Sequence, residues 1–343
     1  MKLTKKFKFS YKKPLLIAEI SANHSGNKTK FYKLINSAFD CGADMVKIQT
    51  YEPEDITINE RKNYLKIKKG LWKNKYLWDL YKEAQTPFSW HKQAFEIAKK
   101  RKKIIFSSPF SIRAVDLLEK LKTPIYKISS FEITDVKLIN YIASKMKPII
   151  ISTGMSSLND VKKAMKEINK FHNKVIIMHC VSKYPTELRD SCLGNILNLK
   201  KIFKKNLIGL SDHTQNIYSS IASIPLGIVA IEKHFRLNDN EKSADYNFSL
   251  TPKNFINLRN AINDISYSLQ NKNNNNLNNY NIKFRRSIFA SKNIDKNEII
   301  NIKNIKTLRP NVGISAEHYF DILNKKSLRN IKKNSPIFKK DLK

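Results

Sequence analysis

Residues 207–235 read LIGLSDHTQNIYSSIASIPLGIVAIEKHF. Two short apolar runs, LIGL and IVAI, each end in a polar triplet that pairs an acid with a closing histidine: Ser211-Asp212-His213 and Glu232-Lys233-His234. The stretch between them, 217–227, carries helical spacing. Strand, polar end, helix, strand, polar end is one parallel βαβ unit. Working outward, the unit recurs along the chain. Apolar runs close at Glu19 (LLIAE), Lys47 and Gln49 (MVKIQ), Ser107 (IIFSS), Lys127 (IYKIS), Ser152 (IIIST) and His179 (VIIMH). Helical stretches at 90–101, 112–121, 135–145, 157–170 and 253–269 separate or follow them, and FYKLINSAFD before Gly42 places Phe31, Leu34, Ile35, Ala38 and Phe39 on one face. Eight such units predict a (β/α)8 TIM barrel, whose strand C-termini share one mouth where its chemistry occurs.

The length, 343 residues, suits a barrel of roughly 250 residues plus a small domain. The expected layout is a barrel over 1–270, an Asn-rich linker over 271–283 (NKNNNNLNNYNI within it) and a compact β-rich domain over 284–343, built from RRSIFASKNI, DKNEII, NIKTLRPNVGI and LRNIKKNSPI. A domain of about 60 residues is marginal alone and is expected to dock on something. One insertion breaks the barrel rhythm: 51–89, on the mouth side after strand 2, is placed to shape substrate choice.

Composition narrows the class. Three cysteines, Cys41, Cys180 and Cys192, lack metal-type spacing and point to a reducing cytoplasm. The basic N-terminus leads into too short an apolar run for a signal peptide, and nothing approaches a membrane span. A net charge of +35 suggests nucleic acid, but the lysines are scattered through a Lys-, Asn- and Ile-rich composition and no nucleic-acid motif is present. The expectation is therefore no nucleic acid and no membrane, with a field that draws an anionic substrate.

Chemistry concentrates at the strand ends. His213 and His234, on neighbouring strands, can share one metal with water or substrate completing the shell; two imidazoles plus oxygen suit Mn²⁺, Mg²⁺, Fe²⁺ or Zn²⁺. Lys47 and Lys127 sit in apolar strands, where an ammonium needs a partner. They hold a phosphate or carboxylate, form a Schiff base, or pair with Glu19 or Glu132. Ser107, Ser130, Ser152 and Ser211 extend an anion cradle. Glu19 is a general acid or base, or a lysine's partner. His24, His179 and Cys180 read as supporting or packing groups. There is no GxSxG elbow and no Walker motif.

Taken in order, AEISANHSGN, KIQTY, FSSPF, YKISSFE, ISTGM, HCVSKYPT, GLSDHT, EKHF and RPNVGI resemble the sialic acid synthase family, phosphoenolpyruvate-dependent synthases of nine-carbon sugar acids. The ANH form of the first motif, Gly70-Leu71-Trp72 and TPFSWH at 86–91 are most similar to the branch that makes pseudaminic acid. The resemblance implies a barrel followed by an antifreeze-like (SAF) domain, and a domain-swapped homodimer in which Arg309 reaches a second subunit's site. It implies His213 and His234 as metal ligands, with Mn²⁺ or Mg²⁺ the expected ion. Lys47, Lys127, Ser130, Ser152 and Ser211 become phosphoenolpyruvate contacts and Glu19 a catalytic carboxylate. Gln49, Tyr184 and Asp245 become contacts to sugar or metal-bound water. The implied reaction is an aldol-like condensation of phosphoenolpyruvate with 2,4-diacetamido-2,4,6-trideoxy-L-altrose. The alternatives are a related synthase making N-acetylneuraminate or legionaminate, and a basic nucleic-acid-binding protein with an inactive barrel.

Overall fold

The computed structural model describes residues 1, 8–238, 242–270 and 280–343. It divides into two compact units, Met1–Gln270 and Asn271–Lys343. Most of the Asn-rich stretch, 271–279, lies outside the described residues.

In the first unit β1 (Leu15–Glu19), β2 (Met45–Thr50), β3 (Ile104–Pro109), β4 (Tyr126–Ile128), β5 (Ile149–Ser152), β6 (Val175–Cys180), β7 (Leu207–Asp212) and β8 (Ala230–His234) close a parallel barrel in chain order. The helices are α1 (Lys28–Asp40), α2 (Leu77–Ala84), α3 (Phe88–Lys100), α4 (Ile112–Lys120), α5 (Val136–Ser144), α6 (Leu158–Asn169), α7 (Asn195–Ile202), α8 (Tyr218–Ser223) and α9 (Pro252–Gln270). Helix α7 occupies a stretch the sequence reading left unassigned; it is only two turns long and buries just Ile196 and Leu199, too few positions to show a period. The helix expected over 217–227 is α8 followed by a 3-10 turn at Ile224–Leu226, because Pro225 cannot continue the α-helical ladder.

Strand alternation sorts the side chains into two cores. Inward are Ile17, Met45, Phe106, Ile150, Ile176, Met178 and Ala230, with Phe9 packed among them. Outward, against the helices, are Leu16, Val46, Ile48, Ile105, Tyr126, Ile151, Ile177, Leu210 and Ile231. Each of these side chains is essentially removed from water, an environment worth about 1.5–3 kcal/mol for each large apolar group. The inward set stops short of the strand ends, and polar residues of the same parity take over there.

The second unit has its own isoleucine-rich core: Ile288, Ile294, Ile300, Ile305, Ile314, Ile322, Ile331 and Ile337. Antiparallel β9 (Ser287–Ala290) and β10 (Ile305–Leu308) are its regular strands among the described residues; the other β-prone segments pair through isolated bridges such as Ile294 with Ile331.

Candidate active site

Register sets the mouth. Glu19 stands level with Lys47 on one side and His234 on the other, and Ser211 stands level with Glu232. A cavity of about 430 Å³ opens there. Glu19, Lys47, Gln49, Lys127, Ser130, Ser152, Tyr184, Ser211, His213, His234 and Asp245 all line it. Arg309 belongs to the second unit, where it is exposed just beyond β10.

The two buried lysines converge on one carboxylate. Glu232 accepts Lys47 Nζ and Lys127 Nζ, each at 2.8 Å, and the Ser211 hydroxyl at 3.1 Å. Burial alone would raise its pKa, but the ammonium groups of Lys127 and Lys47 outweigh that and hold it well below the usual carboxylate range. Lys47 also lies 2.9 Å from Glu19, whose oxygens accept no hydrogen bond of proper geometry. Burial pulls Lys47 down to about 8, with Glu232 opposing. The salt-bridge alternative thus holds for Lys47 with Glu19. Glu132 takes no part in it, and the shared partner is Glu232.

Beside this ionic cluster lie the imidazoles, ring centroids 5.4 Å apart. His213 Nδ1 donates to the Val181 carbonyl at 3.0 Å, so Nε2 is the nitrogen a cation would take on deprotonation; burial would lower the imidazole's pKa, but Cys180 outweighs it and holds the ring above its usual range. His234 Nδ1 is buried without a hydrogen-bond partner, 3.7 Å from Asp245 Oδ2. Burial, then the neighbouring His213, keeps His234 well below the usual imidazole range, so it is neutral. Among the described residues no set of three or more His, Cys, Asp and Glu forms a ready cage. What is present is two imidazoles with an orphaned buried nitrogen, a donor set that fits a divalent cation whose remaining positions are filled by oxygen from water or substrate.

Opposite, on the β4–β6 side, three serine hydroxyls gather. Ser152 Oγ and Ser182 Oγ are buried and unbonded, and Ser130 Oγ accepts the Gly154 N–H at 3.0 Å. A Cβ on Gly154 would fall 2.1 Å from Ser182 Oγ, so only glycine lets these groups meet. The remaining wall comes from the 51–89 insertion. Trp72 Nε1 donates to the Ala244 carbonyl at 3.0 Å and its ring faces Tyr184 at 5.7 Å, while Leu80 packs with Ala22 and Ala244. Gln49 donates to Ser21 Oγ at 2.9 Å. Glu132, also lining the cavity, is pushed up to about 8 by burial and then by Asp135.

The anion-cradle reading of Ser107 was off by one residue, and the β6 strand end lies one residue beyond His179. Ser107 faces the helices, where it bonds Thr50 Oγ1 at 2.5 Å and the Ile48 carbonyl at 3.0 Å; Ser108 has the inward parity of Phe106. Similarly, β6 runs to Cys180, which lines the cavity, while His179 turns outward to the Ser191 carbonyl at 2.7 Å. A slip of one residue reverses the face of a strand side chain. Glu232 was read only as the acid beside His234, and Ser182 had no place in the sequence-derived site.

A closed parallel barrel with such a mouth is a barrel enzyme. A family model described as the NeuB family matches residues 34–274, and a SAF domain model matches 285–343. Pseudaminic acid synthase from Helicobacter pylori is 37% identical over 334 residues, covering 96% of this chain and 98% of that protein. N,N'-diacetyllegionaminic acid synthase from Campylobacter jejuni is 34% identical over 333 residues, covering 95% and 99%. Among solved structures, the N-acetylneuraminic acid (sialic acid) synthetase of Leptospira borgpetersenii in complex with citrate superimposes with a TM-score of 0.71 at 25% identity, over 81% of this chain and 95% of that one. The chain belongs to the NeuB family, with a SAF domain at its C-terminal end.

Proposed function

We propose that this chain condenses phosphoenolpyruvate with 2,4-diacetamido-2,4,6-trideoxy-L-altrose to give pseudaminic acid and phosphate. The observation that carries the reading is the meeting of Lys47 and Lys127 beside two imidazoles in one cavity, in a chain 37% identical to pseudaminic acid synthases across nearly its whole length.

Lys47 and Lys127 hold the substrate's anionic groups, and Ser130, Ser152, Ser182 and Ser211 supply hydroxyl donors around them. Gln49, Tyr184 and the Trp72 wall receive the sugar. His213 and His234 would hold a divalent cation, Mn²⁺ or Mg²⁺, with Asp245 orienting water nearby; such an ion polarises an aldehyde oxygen. C3 of phosphoenolpyruvate bonds to the sugar aldehyde carbon, water adds at C2, and collapse of that tetrahedral carbon expels phosphate. Glu19, within reach of Lys47, would take the proton of the attacking water, and a proton returned to the former aldehyde oxygen completes the new hydroxyl. Arg309 of a second copy contributes a guanidinium to the sugar, in a cytoplasmic homodimer whose product feeds surface glycans.

The test is turnover of the open-chain candidates with Mn²⁺ present. Product from the trideoxyaltrose supports the reading; product only from N-acetylmannosamine or from the legionaminate precursor would replace it with the neighbouring specificity.

A further inference from the structure

Behind the imidazoles lies a second ionic cluster of opposite parity. Asp212 and Lys233 point outward, into the layer between barrel and helices where their strand neighbours Leu210 and Ile231 are apolar. Their side chains are only 1% and 0% exposed, with Lys233 Nζ 3.1 Å from Asp212 Oδ2. Lys233 Nζ also donates to the Thr214 carbonyl and, at 3.1 Å, to Thr214 Oγ1. Asp212 Oδ1 accepts the Thr214 N–H at 2.8 Å, and its Oδ2 accepts the Ser220 hydroxyl at 2.5 Å. The Thr186 N–H then pins the His213 carbonyl at 3.0 Å. The residues on either side of His213 are therefore tied to the residue immediately before His234.

Stability does not account for this arrangement. A buried ion pair gains little over a well-packed apolar pair of the same volume, because desolvation consumes the Coulombic attraction. What an apolar pair would lack is direction: three polar bonds from one ammonium fix where the β7 end stands relative to the β8 end. We infer that Lys233 is a positioning residue which, with Asp212, sets the separation of the His213 and His234 imidazoles and so the affinity of the cation site. The inference rests on the reading of those histidines as a metal pair. Groups that support metal ligands from behind typically change affinity 10–100-fold when removed.

The experiment is Mn²⁺ titration of the full chain followed by electron paramagnetic resonance, with melting measured in parallel. The wild type is expected to bind, and His213→Ala to abolish binding. Lys233→Met strands a buried carboxylate, so the decisive variant is Asp212→Asn/Lys233→Met, which removes both charges at similar volume. It is expected to stay folded and to bind Mn²⁺ about tenfold or more weakly. Unchanged Mn²⁺ affinity in that variant, whatever its melting temperature, would overturn the positioning role. A wild type that binds no Mn²⁺ would instead sink the metal reading itself, and this inference with it.

Discussion

At the scale of single residues, Glu232 organises the mouth because it faces two buried ammonium groups at once. Replacing it by Gln leaves Lys127 without its carboxylate and Lys47 with Glu19 alone, a loss of about 3–5 kcal/mol by analogy with broken buried pairs. Phosphoenolpyruvate would then supply the missing negative charge. Thermal melting should therefore show a larger phosphoenolpyruvate-induced rise in Glu232→Gln than in the wild type; an equal or smaller rise would mean that the lysines do not receive the anion. Lys47 gives a second expectation. Its pKa is lowered from 10.5 to about 8, so the ammonium prevails below that pH and is lost above it. The KM for phosphoenolpyruvate should climb as pH rises through about 8, while the sugar KM changes less. A flat phosphoenolpyruvate KM between pH 7 and 9 would remove Lys47 from the anion site.

At the scale of elements, α1 ends where Gly42 takes φ +94°, and a Cβ there would come within 2.8 Å of Arg259 Cγ. Gly42→Ala combines that strain with a clash and should cost about 1–3 kcal/mol in urea unfolding. Trp72 tests the insertion. Its removal by Trp72→Ala takes away the bond to Ala244 and the contact with Tyr184, so the sugar KM should rise about tenfold with the phosphoenolpyruvate KM nearly unchanged. Equal rises in both would make the insertion a general support rather than the sugar wall. The elements also show what a sequence can carry. The barrel was readable because each apolar run ends on polar residues and the longer helices repeat at 3.6. Parity was not: IIFSS and VIIMHC offer adjacent polar residues, and only the neighbours' register decides that Ser107 and His179 turn outward. The role of Glu232 was hidden for a different reason. Its lysine partners lie 185 and 105 residues away in the chain, so nothing local marks it as their common acceptor. Trp72 was visible as a motif, but its reach to Ala244 spans 172 residues.

At the scale of the whole molecule, the chain carries a net charge of +35, while in the barrel mouth lysines and carboxylates largely cancel. The outer field steers while the inner groups bind, so kcat/KM for phosphoenolpyruvate should fall with added salt faster than kcat does. The proposed part of Arg309 in a second subunit is open to complementation. Glu19→Gln and Arg309→Ala chains, each inactive alone, should on mixing recover about a quarter of wild-type activity if half the dimers are mixed and each has one intact site. The central claim is the joining of phosphoenolpyruvate to an amino-sugar aldehyde at this barrel mouth. It is tested most directly by incubating the purified chain with phosphoenolpyruvate, Mn²⁺ and 2,4-diacetamido-2,4,6-trideoxy-L-altrose and following product by mass spectrometry. The account predicts one pseudaminic acid and one phosphate per turnover, lost in Lys127→Ala. Absence of any nine-carbon acid from this or the related amino sugars, with phosphoenolpyruvate left intact, would contradict it.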